Sequence, residues 1–300
     1  MADRAGVPLR ETGDNGDAPD RPTLLLVDGH NLLFQMFFGM PARIRNKNGK
    51  AIQGTLGFVG ALLKIIRRVS PSHLLVLFDG EHPHERVELD AAYKANRTDY
   101  TAVPDDDNPF SQLPDIVAAL DFMGIRHAET TDGEADDVIA GYVFRCRGRI
   151  PIVISSFDSD FFQLIGKTVS VLRYRGDRTV LCDTAYVLDR YGIPPARFAD
   201  FKALAGDTSD NIKGADRVSP KTAAALLRRF GSLEEILLHA DDIGQASIRA
   251  SIRSNADRLR LNARLIRLPG CDTLPYDIGD LAYRSPDMTT NQVLAGIGLR

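Results

Sequence analysis

Residues 23–31 have the sequence TLLLVDGHN, the segment that most clearly indicates the fold. Its apolar run ends in Asp28, and Gly29 follows the acid, a pattern typical of a buried parallel strand that stops at a loop. Two later stretches have a similar layout, LLVLFD at residues 74–79 and IPIVISS at residues 150–156. The sequence therefore predicts three parallel strands, each with an acid at its end or just beyond it.

Helical periodicity separates these strands. Apolar residues recur at helical spacing over residues 54–69, 113–123 and 135–144. Strands that alternate with helices indicate βαβ units, so we expect an α/β fold with a mostly parallel central sheet flanked by helices. From about residue 196 the pattern is helical throughout, and we expect helices at 197–206, 220–230, 232–239 and 246–268.

Length and composition describe an ordinary globular chain. It has 300 residues, of which 44% are hydrophobic and 26% charged, and this excludes the disordered and collagen-like classes. We expect a flexible tail over 1–22, an α/β core over 23–195, a helical subdomain over 196–270 and an unassigned tail over 271–300. No apolar run reaches the roughly 18–20 residues of a membrane span, and the polar N-terminus resembles no secretory signal. Three widely spaced cysteines favour reduced thiols in the cytosol.

Acids from several segments are expected to converge. In open α/β sheets the ligand crevice lies beyond the carboxyl ends of the strands, which places Asp28, Asp79 and Asp158 together. The stretch EADDV at 134–138 opens a predicted helix that Thr131 or Asp132 would cap. Acids in a first helical turn are also common because they complement the helix dipole. This simpler interpretation does not explain the total number of acids.

So many carboxylates in one crevice repel each other unless cations neutralise them. Oxygen ligands alone favour Mg²⁺ or Mn²⁺ over Zn²⁺, and two such ions suit in-line phosphoryl transfer. The net charge of −3 hides this arrangement: without the nine acids, 37 basic residues face 31 acidic ones, an excess that suits a polyanionic partner. The nine are Asp28, Asp79, Glu134, Asp136, Asp137, Asp158, Asp160, Asp207 and Asp210.

Five acidic motifs occur along the chain: VDGHN at 27–31, FDG at 78–80, EADDV at 134–138, DSD at 158–160 and GDTSDN at 206–211. In their order and spacing they resemble the 5′ nuclease family, which includes the 5′→3′ exonuclease domain of bacterial DNA polymerase I, phage 5′ nucleases and flap endonucleases. The resemblance spans about residues 24–268 and implies a PIN-like core with a helix-turn-helix-type subdomain.

The resemblance also implies two metal sites. The acids that hold the family's first metal correspond to Asp28, Asp79, Glu134 and Asp136. The acids that hold its second metal correspond to Asp158, Asp160 and Asp207, and Asp137 and Asp210 correspond to acids nearby. Because every one of these positions is acidic here, we expect both sites to be retained in a working enzyme.

A basic segment follows the second strand. Residues 85–99 suggest a helix that carries Arg86, which is an expected DNA contact. The run YKANR at 93–97 resembles the base of the family's arch, which we place at about 82–108. Lys94 and Arg97 would stabilise negative charge at the scissile phosphate, although an ordinary solvated helix face is the simpler alternative. The acidic stretch PDDDN at 104–108 is expected to be a solvated loop, and His82 and His84 a polar loop rather than a metal pair.

The helical subdomain carries a basic excess, with 11 Lys and Arg against 6 Asp and Glu over residues 211–268. Its run GADRVSPKTA at 214–223 resembles the family's GxxGIGxKTA-like run. Two glycines of that run are replaced here by Arg217 and Ser219, so the sequence does not decide whether the family's monovalent-cation site is retained. Lys221 and Thr222 are expected phosphate contacts, together with Lys213 and Arg217. The run lacks the glycines of a GxxxxGK[ST] loop, so we expect no nucleotide cofactor.

We therefore expect a structure-specific 5′→3′ exonuclease and flap endonuclease that uses two ions, Mg²⁺ or Mn²⁺, on DNA with 5′ flaps or free 5′ ends. It would be a stand-alone, monomeric, cytoplasmic and nucleoid-associated bacterial enzyme with no membrane partner. Two alternatives stay open: a junction-binding DNA protein with weak or no cleavage, and a PIN-like ribonuclease.

Overall fold

The computed structural model describes residues 22–80, 85–131, 133–285 and 287–300. Within these ranges six strands form one sheet in the order β3-β2-β1-β4-β5-β6, and every neighbouring pair is parallel except β5 and β6. This confirms the predicted mostly parallel α/β sheet. The strands are β1 (Leu24–Asp28), β2 (His73–Phe78), β3 (Arg126–Glu129), β4 (Ile152–Ser155), β5 (Val169–Arg173) and β6 (Val180–Cys182).

The apolar sequence of β1 is explained by burial on both sides of the sheet. Leu24 and Leu26 pack into one core, while Leu25 and Val27 pack into the other, and all four are fully buried. In the register of the sheet, Asp28 lies opposite Leu77 of β2. The carboxyl ends of β1, β2 and β4 therefore share one edge of the sheet.

Helices cover both faces of this sheet. The elements α1, α2, α4 and α12 pack with Leu25 and Val27, whereas α5, α7, α8 and α11 pack with Leu24 and Leu26. The helices are α1 (Gly29–Gly39), α2 (Gln53–Val69), α3 (Glu85–Leu89), α4 (Leu113–Phe122), α5 (Ala135–Cys146), α6 (Thr184–Tyr191), α7 (Phe198–Ala205), α8 (Pro220–Phe230), α9 (Leu233–Leu238), α10 (Ala246–Ser254), α11 (Ala256–Ile266) and α12 (Thr290–Gly296). Short 3-10 helices span Pro109–Gln112, Asp160–Leu164, Pro195–Arg197, Ala240–Asp242 and Ile278–Leu281.

The helix predicted over residues 85–99 is wrong beyond Leu89. The chain then turns, and Lys94 adopts a left-handed conformation with φ of 55°, which an α-helix does not accommodate. Its backbone N–H donates instead to the carbonyl of Asp210 at 3.0 Å. The Asn211 side chain donates to the carbonyl of Ala92 at 2.8 Å. The segment is therefore shaped by docking onto the loop at 206–211 rather than by helical hydrogen bonds.

The helical second part of the chain is confirmed, with one difference. The helix predicted over 246–268 is two helices, because the chain leaves the helical conformation at Asn255, whose φ is −108° and ψ is 13°. The Asn255 side chain donates to the carbonyl of Ser251 at 2.8 Å, which satisfies one carbonyl near the end of α10.

The segment after residue 270, left unassigned by the sequence, returns to the first part of the chain. The backbone N–H of Tyr283 donates to the carbonyl of Ser72 at 2.8 Å, and Arg67 donates to the carbonyl of Met288 at 3.0 Å. Val293 and Leu294 of α12 are fully buried. This segment is therefore an integral part of the core.

Several expectations fall outside the described ranges: the tail up to residue 21, the loop with His82 and His84, and Asp132. In the part of the chain that the structure does describe, no helix combines the length and apolar character needed to cross a membrane.

The acidic loop at 104–108 pairs with a basic segment instead of standing alone in solvent. Asp106 forms an ion pair with Arg45, and Asp107 forms one with Arg43. All four side chains are at least one-third exposed, so each pair contributes at most about 1 kcal/mol. The loop is therefore exposed to solvent, as expected, and it is also ion-paired with the segment at 43–45.

Candidate metal centre

Four aspartates meet at the carboxyl edge of the sheet and line one open cavity of about 490 Å³. Three of them end or follow β1, β2 and β4, and the fourth is in the first turn of α5. Lys94 and Arg97 line the same cavity. We call the four aspartates the first cluster: Asp28, Asp79, Asp136 and Asp158.

Hydrogen bonds from local backbone and hydroxyl groups orient Asp28. It is the N-cap of α1, and its Oδ1 accepts from the N–H of Asn31 at 3.0 Å. Its Oδ2 accepts from the hydroxyl of Ser156 at 2.8 Å, which joins β1 to the turn after β4. The side chain is thus fixed at the edge of the sheet.

Asp79 is oriented from the opposite side. Its Oδ1 accepts from the N–H of Ala135, the first residue of α5, at 2.7 Å. Its own N–H donates to Nδ1 of His30 at 3.2 Å. Thr131 does not cap α5 as predicted, because the helix begins later, with Glu134 as the N-cap residue. A carboxylate from another strand therefore satisfies the first free N–H of α5.

The first cluster carries more negative charge than its surroundings stabilise. Burial raises the pKa of Asp28 to about 7, and the facing charges of Asp79 and Asp158 add to the effect. Burial and the charges of Asp158 and Asp28 also raise the pKa of Asp136 well above its ordinary value. Asp79 differs: burial would raise its pKa, but the neighbouring His30 ring and the hydrogen bond from the N–H of Ala135 lower it. Crowded oxygen donors, two of them with raised pKa values, fit a hard divalent cation.

A second group of acids lies beside the first. Their carboxylate oxygens lie within 4.8 Å of one another, and all three residues are buried. We call Asp160, Asp207 and Asp210 the second cluster. This arrangement also fits a divalent ion in donor type and spacing, and it matches part of the second metal site that the resemblance implies.

Two cations pair with the second cluster, although burial still raises the pKa of Asp160 to about 7 and also raises that of Asp210. The ammonium group of Lys202, which is only 7% exposed, contacts the carboxylates of both Asp160 and Asp207. Burial alone would lower the pKa of Lys202. The charges of Asp160, Asp158 and Asp207 nevertheless hold this pKa above its ordinary value, so the side chain is an ammonium ion. Arg97 donates to Oδ1 of Asp210 at 3.0 Å.

Glu134 and Asp137 belong to a third, ion-paired network. Arg86 donates to Oε2 of Glu134 at 2.9 Å and to both oxygens of Asp137 at 2.8 Å. Lys94 donates to Oε1 of Glu134 at 2.6 Å. Despite burial, Lys94 and Arg86 lower the pKa of Glu134. The structure thus separates these two acids from the carboxylates that line the cavity.

Arg86 differs from its expected role as a DNA contact. It is 7% exposed, and its guanidinium is enclosed by Glu134, Asp137 and the carbonyl of Arg267. Because Arg86 is buried to this extent, its guanidinium cannot contact a phosphate backbone. Its position suits holding Glu134 and Asp137 and does not suit binding DNA.

Aromatic rings form one wall of the cavity. Phe34, Tyr100 and Phe110 meet edge to face, with ring centroids 5.3 to 5.6 Å apart. His30 lies next to Phe110 in the same wall, with centroids 5.2 Å apart. The cavity therefore combines a charged floor with an apolar side.

The predicted phosphate contacts lie around the start of α8. Lys213, Arg217 and Lys221 are exposed, and Thr222 is half-buried. Ser219 caps α8 by accepting from the N–H of Thr222 at 3.2 Å. Arg217 has φ of 65°, a conformation that glycine adopts most easily, so this residue keeps a glycine-like backbone while adding a cationic side chain.

Sequence reasoning missed Lys202. The available signal was its place in FADFKALA, where it stands four residues after Phe198 on a helix whose other residues are largely apolar. A lysine on a buried helix face needs an acidic partner, and Asp207 follows five residues later.

Comparison with known proteins identifies related chains. Residues 23–192 match the family model "5'-3' exonuclease, N-terminal resolvase-like domain", and residues 193–289 match "5'-3' exonuclease, C-terminal SAM fold". The chain is 35% identical over 266 residues to a thermostable DNA polymerase I of Thermus filiformis, covering 88% of this chain and 31% of the polymerase. It is 34% identical over 276 residues to DNA polymerase I of Streptococcus pneumoniae, covering 90% of this chain and 31% of that protein. The chain therefore spans about one-third of the length of these relatives.

Solved structures support the same fold. The zinc-bound T5 5'-exonuclease superimposes with a TM-score of 0.68 at 22% identity, covering 82% of this chain and 90% of the other. The catalytic core of Rad2 in complex with DNA substrate gives a TM-score of 0.57 at 13% identity, covering 92% and 93% of the two chains. The two family models together span residues 23–289, and the chain belongs to the 5′-3′ exonuclease family, as its acidic motifs predicted.

Proposed function

We propose that this chain hydrolyses DNA phosphodiesters at junctions of single and double strands, acting as a divalent-metal-dependent 5′→3′ exonuclease and flap endonuclease. The observation that carries the proposal is the first cluster: four aspartates in an open cavity, with Lys94 and Arg97 in the same lining. A phosphate that enters the cavity meets positive side chains on one side and acids able to hold metal on the other.

The residues that would hold the ions are the two clusters, and Mg²⁺ or Mn²⁺ suits their oxygen donors. Bound there, the ions would supply Lewis-acid polarisation of the phosphodiester and a water acidic enough to attack it. Glu134 and Asp137 would act from outside the clusters by holding Lys94 and Arg86. Relatives of the fold support metal use, since T5 5'-exonuclease was solved with bound divalent metal ions.

Lys94 and Arg97 would stabilise the charge that develops on the phosphate. Both are held by buried acids, Lys94 by Glu134 at 2.6 Å and Arg97 by Asp210 at 3.0 Å. Cations that are positioned before the substrate arrives need little reorganisation during the reaction, which is the main advantage of such groups. The backbone N–H of Lys94 also donates to the carbonyl of Asp210 in the 206–211 loop, so the position of Lys94 depends on that of the second cluster.

The substrate would be DNA with a 5′ flap or a free 5′ end. We assign the duplex contacts to the helical part from residue 196 to 270, through Lys213, Arg217, Lys221 and Thr222 around the start of α8. Exposed lysine and arginine at this position would bind phosphates without reading base sequence. The Rad2 core, of similar fold, was solved in complex with DNA substrate. We expect a monomer that acts in the bacterial cytoplasm at the nucleoid.

The test is cleavage of a 5′-labelled flap DNA with Mg²⁺ or Mn²⁺. The purified chain is compared with Asp136→Asn and with Asp257→Asn, a matched control whose carboxylate is fully exposed on α11. We expect junction cleavage that EDTA and Asp136→Asn abolish and that Asp257→Asn leaves intact. Tight junction binding without a cut by the unaltered chain would indicate a binding protein, and cleavage of RNA alone would indicate a ribonuclease.

A further inference from the structure

Lys202 lies where a cation of the second cluster would bind. Its helix, α7, is buried along most of its length, so the side chain has little access to solvent. Its ammonium group contacts Oδ1 of Asp160 and Oδ2 of Asp207. Burying an ammonium ion is costly unless it is paired, and here two carboxylates pair with it.

Oδ1 of Asp207 already accepts from the N–H and the hydroxyl of Ser209, so a divalent ion held by Asp160 and Asp207 would bind Oδ2 of Asp207, which Lys202 now contacts. Two cations on the same oxygens repel each other strongly where water is scarce. Entry of an ion into the second cluster therefore requires Lys202 to leave at least one of these carboxylates. The first cluster has a different arrangement, because Lys94 donates to Glu134, outside that cluster.

We propose that Lys202 is the resident counter-ion of the second cluster. This inference rests on the proposed function: Lys202 holds Asp160 and Asp207 together in the metal-free chain, and a divalent ion enters the second cluster only by displacing it. The two clusters then fill in order, with the first cluster binding its ion tightly and the second binding weakly. Lys202 is a positioning residue that sets the affinity of one of the two ions.

The first experiment counts bound Mn²⁺ without DNA. Free Mn²⁺ is measured by electron paramagnetic resonance during titration of the full chain and of Lys202→Met. We expect one tight and one weak ion in the unaltered chain, and a second ion bound about tenfold more tightly, or better, in Lys202→Met. The first ion should change by less than about threefold, since Lys202 does not contact the first cluster.

Lys94→Met is the matched control. It removes an equally charged side chain that is also paired with a buried acid, but one outside the second cluster. Affinity for the weak ion should change much less in this variant than in Lys202→Met, because Lys94 forms its ion pair with Glu134, outside the second cluster. An equal gain in Lys94→Met and Lys202→Met would mean that general loss of positive charge, and not displacement of Lys202, sets the affinity, and would overturn the proposal.

A second measurement uses the unaltered sequence, so it does not depend on whether Lys202→Met folds. The ¹⁵N resonance of the Lys202 ammonium, assigned with Lys202→Arg, is followed during a Mg²⁺ titration. It should move during the second binding step and stay unchanged during the first. A resonance that is unchanged after both ions have bound, or that moves only with the first, would contradict displacement.

Failure of this inference and failure of the proposed function give different results. If no form of the chain binds Mn²⁺, the metal-dependent function fails and the inference fails with it. If two ions bind but Lys202→Met leaves the second affinity unchanged or weaker, the proposed function stands and Lys202 is not the counter-ion.

Discussion

The first and second clusters lie side by side but differ in how their negative charge is paired. Lys202 and Arg97 form ion pairs with the second cluster and offset part of the burial that raises the pKa values of Asp160 and Asp210. Within the described residues no lysine or arginine is ion-paired with the first cluster, where burial and mutual repulsion raise the pKa values of Asp28 and Asp136. Neighbouring acids with similar sequence motifs can thus differ in how much they depend on an ion from solution.

Because of this difference, the two clusters contribute differently to the stability of the metal-free fold and to ion binding. Crowded acids in the first cluster destabilise the metal-free fold, and an ion that binds there recovers that cost as binding energy. In the second cluster Lys202 and Arg97 offset part of this cost, and they weaken ion binding there. Removing the cation Lys202 from the second cluster and removing the acid Asp28 from the first should therefore change the stability of the metal-free fold in opposite directions.

The largest expected effect is on activity in the first cluster. Asp28→Asn should lower the single-turnover cleavage rate of a flap DNA in Mn²⁺ by about 10³-fold or more, because the residue loses a charged metal donor. Asparagine keeps the N-cap of α1, so the fold should be retained. Asp257→Asn, on the exposed face of α11, should stay within about twofold of the unaltered chain. A rate within tenfold of normal in Asp28→Asn would remove this residue from the reaction.

The second prediction concerns stability without metal, measured by urea unfolding in EDTA at pH 8. Lys202→Met should lower the free energy of unfolding by about 3–5 kcal/mol, because it leaves two buried carboxylates unpaired. Asp28→Asn should raise it by about 1–3 kcal/mol, because it removes a charge that burial disfavours. If both variants are destabilised, the clusters do not differ in the way described above.

The third prediction is the pH dependence of ion binding to the first cluster. Metal-free Asp28 has a pKa of about 7, so below that pH it is protonated and must lose its proton when an ion binds. Affinity for the tight Mn²⁺ should therefore rise at least tenfold per pH unit up to about pH 7, because Asp136 also has a raised pKa and can release a second proton. Calorimetry in buffers of different ionisation enthalpy will count the released protons. In Asp28→Asn the slope should decrease by about one proton.

The smallest effect is expected for Arg97, whose side chain is 53% exposed. Arg97→Gln should lower the flap cleavage rate by about tenfold through loss of charge near the phosphate. The free energy of unfolding should change by less than about 1 kcal/mol, since a half-exposed ion pair contributes little. Lys94→Gln, whose ammonium is only 15% exposed against buried Glu134, should be the more destabilising of the two. The reverse order would contradict this assignment.

Strand ends were predictable from sequence because burial on both faces makes an unbroken apolar run. Thus β1, β2 and β4 were found, and the acids after them followed from the geometry of a parallel sheet. The edge strand β3, Arg126–Glu129, was not found, because its residues are at least partly exposed and show no apolar run. Its pairing with β2 comes from the sheet itself and not from its own composition.

The parts that sequence could not predict depend on contacts between distant segments. The residues around Lys94 have a helical composition, yet the 206–211 loop supplies the hydrogen bonds that turn them. The pairing of Lys202 with Asp160 joins residues 42 apart along the chain, which no local pattern records. The nine acids could be named from their motifs, but only the structure separates them into two clusters and one ion-paired network.

The return of the last residues to the first strand pair has a consequence for how the chain folds. Ala282 bridges to His73, and the contact between Arg67 and Met288 joins residues 221 apart. Such distant contacts form late, because a long loop must close before they can contribute. One face of the sheet therefore stays partly uncovered until α12 arrives, and a chain interrupted before residue 290 would expose apolar side chains of α2 and α4 to aggregation.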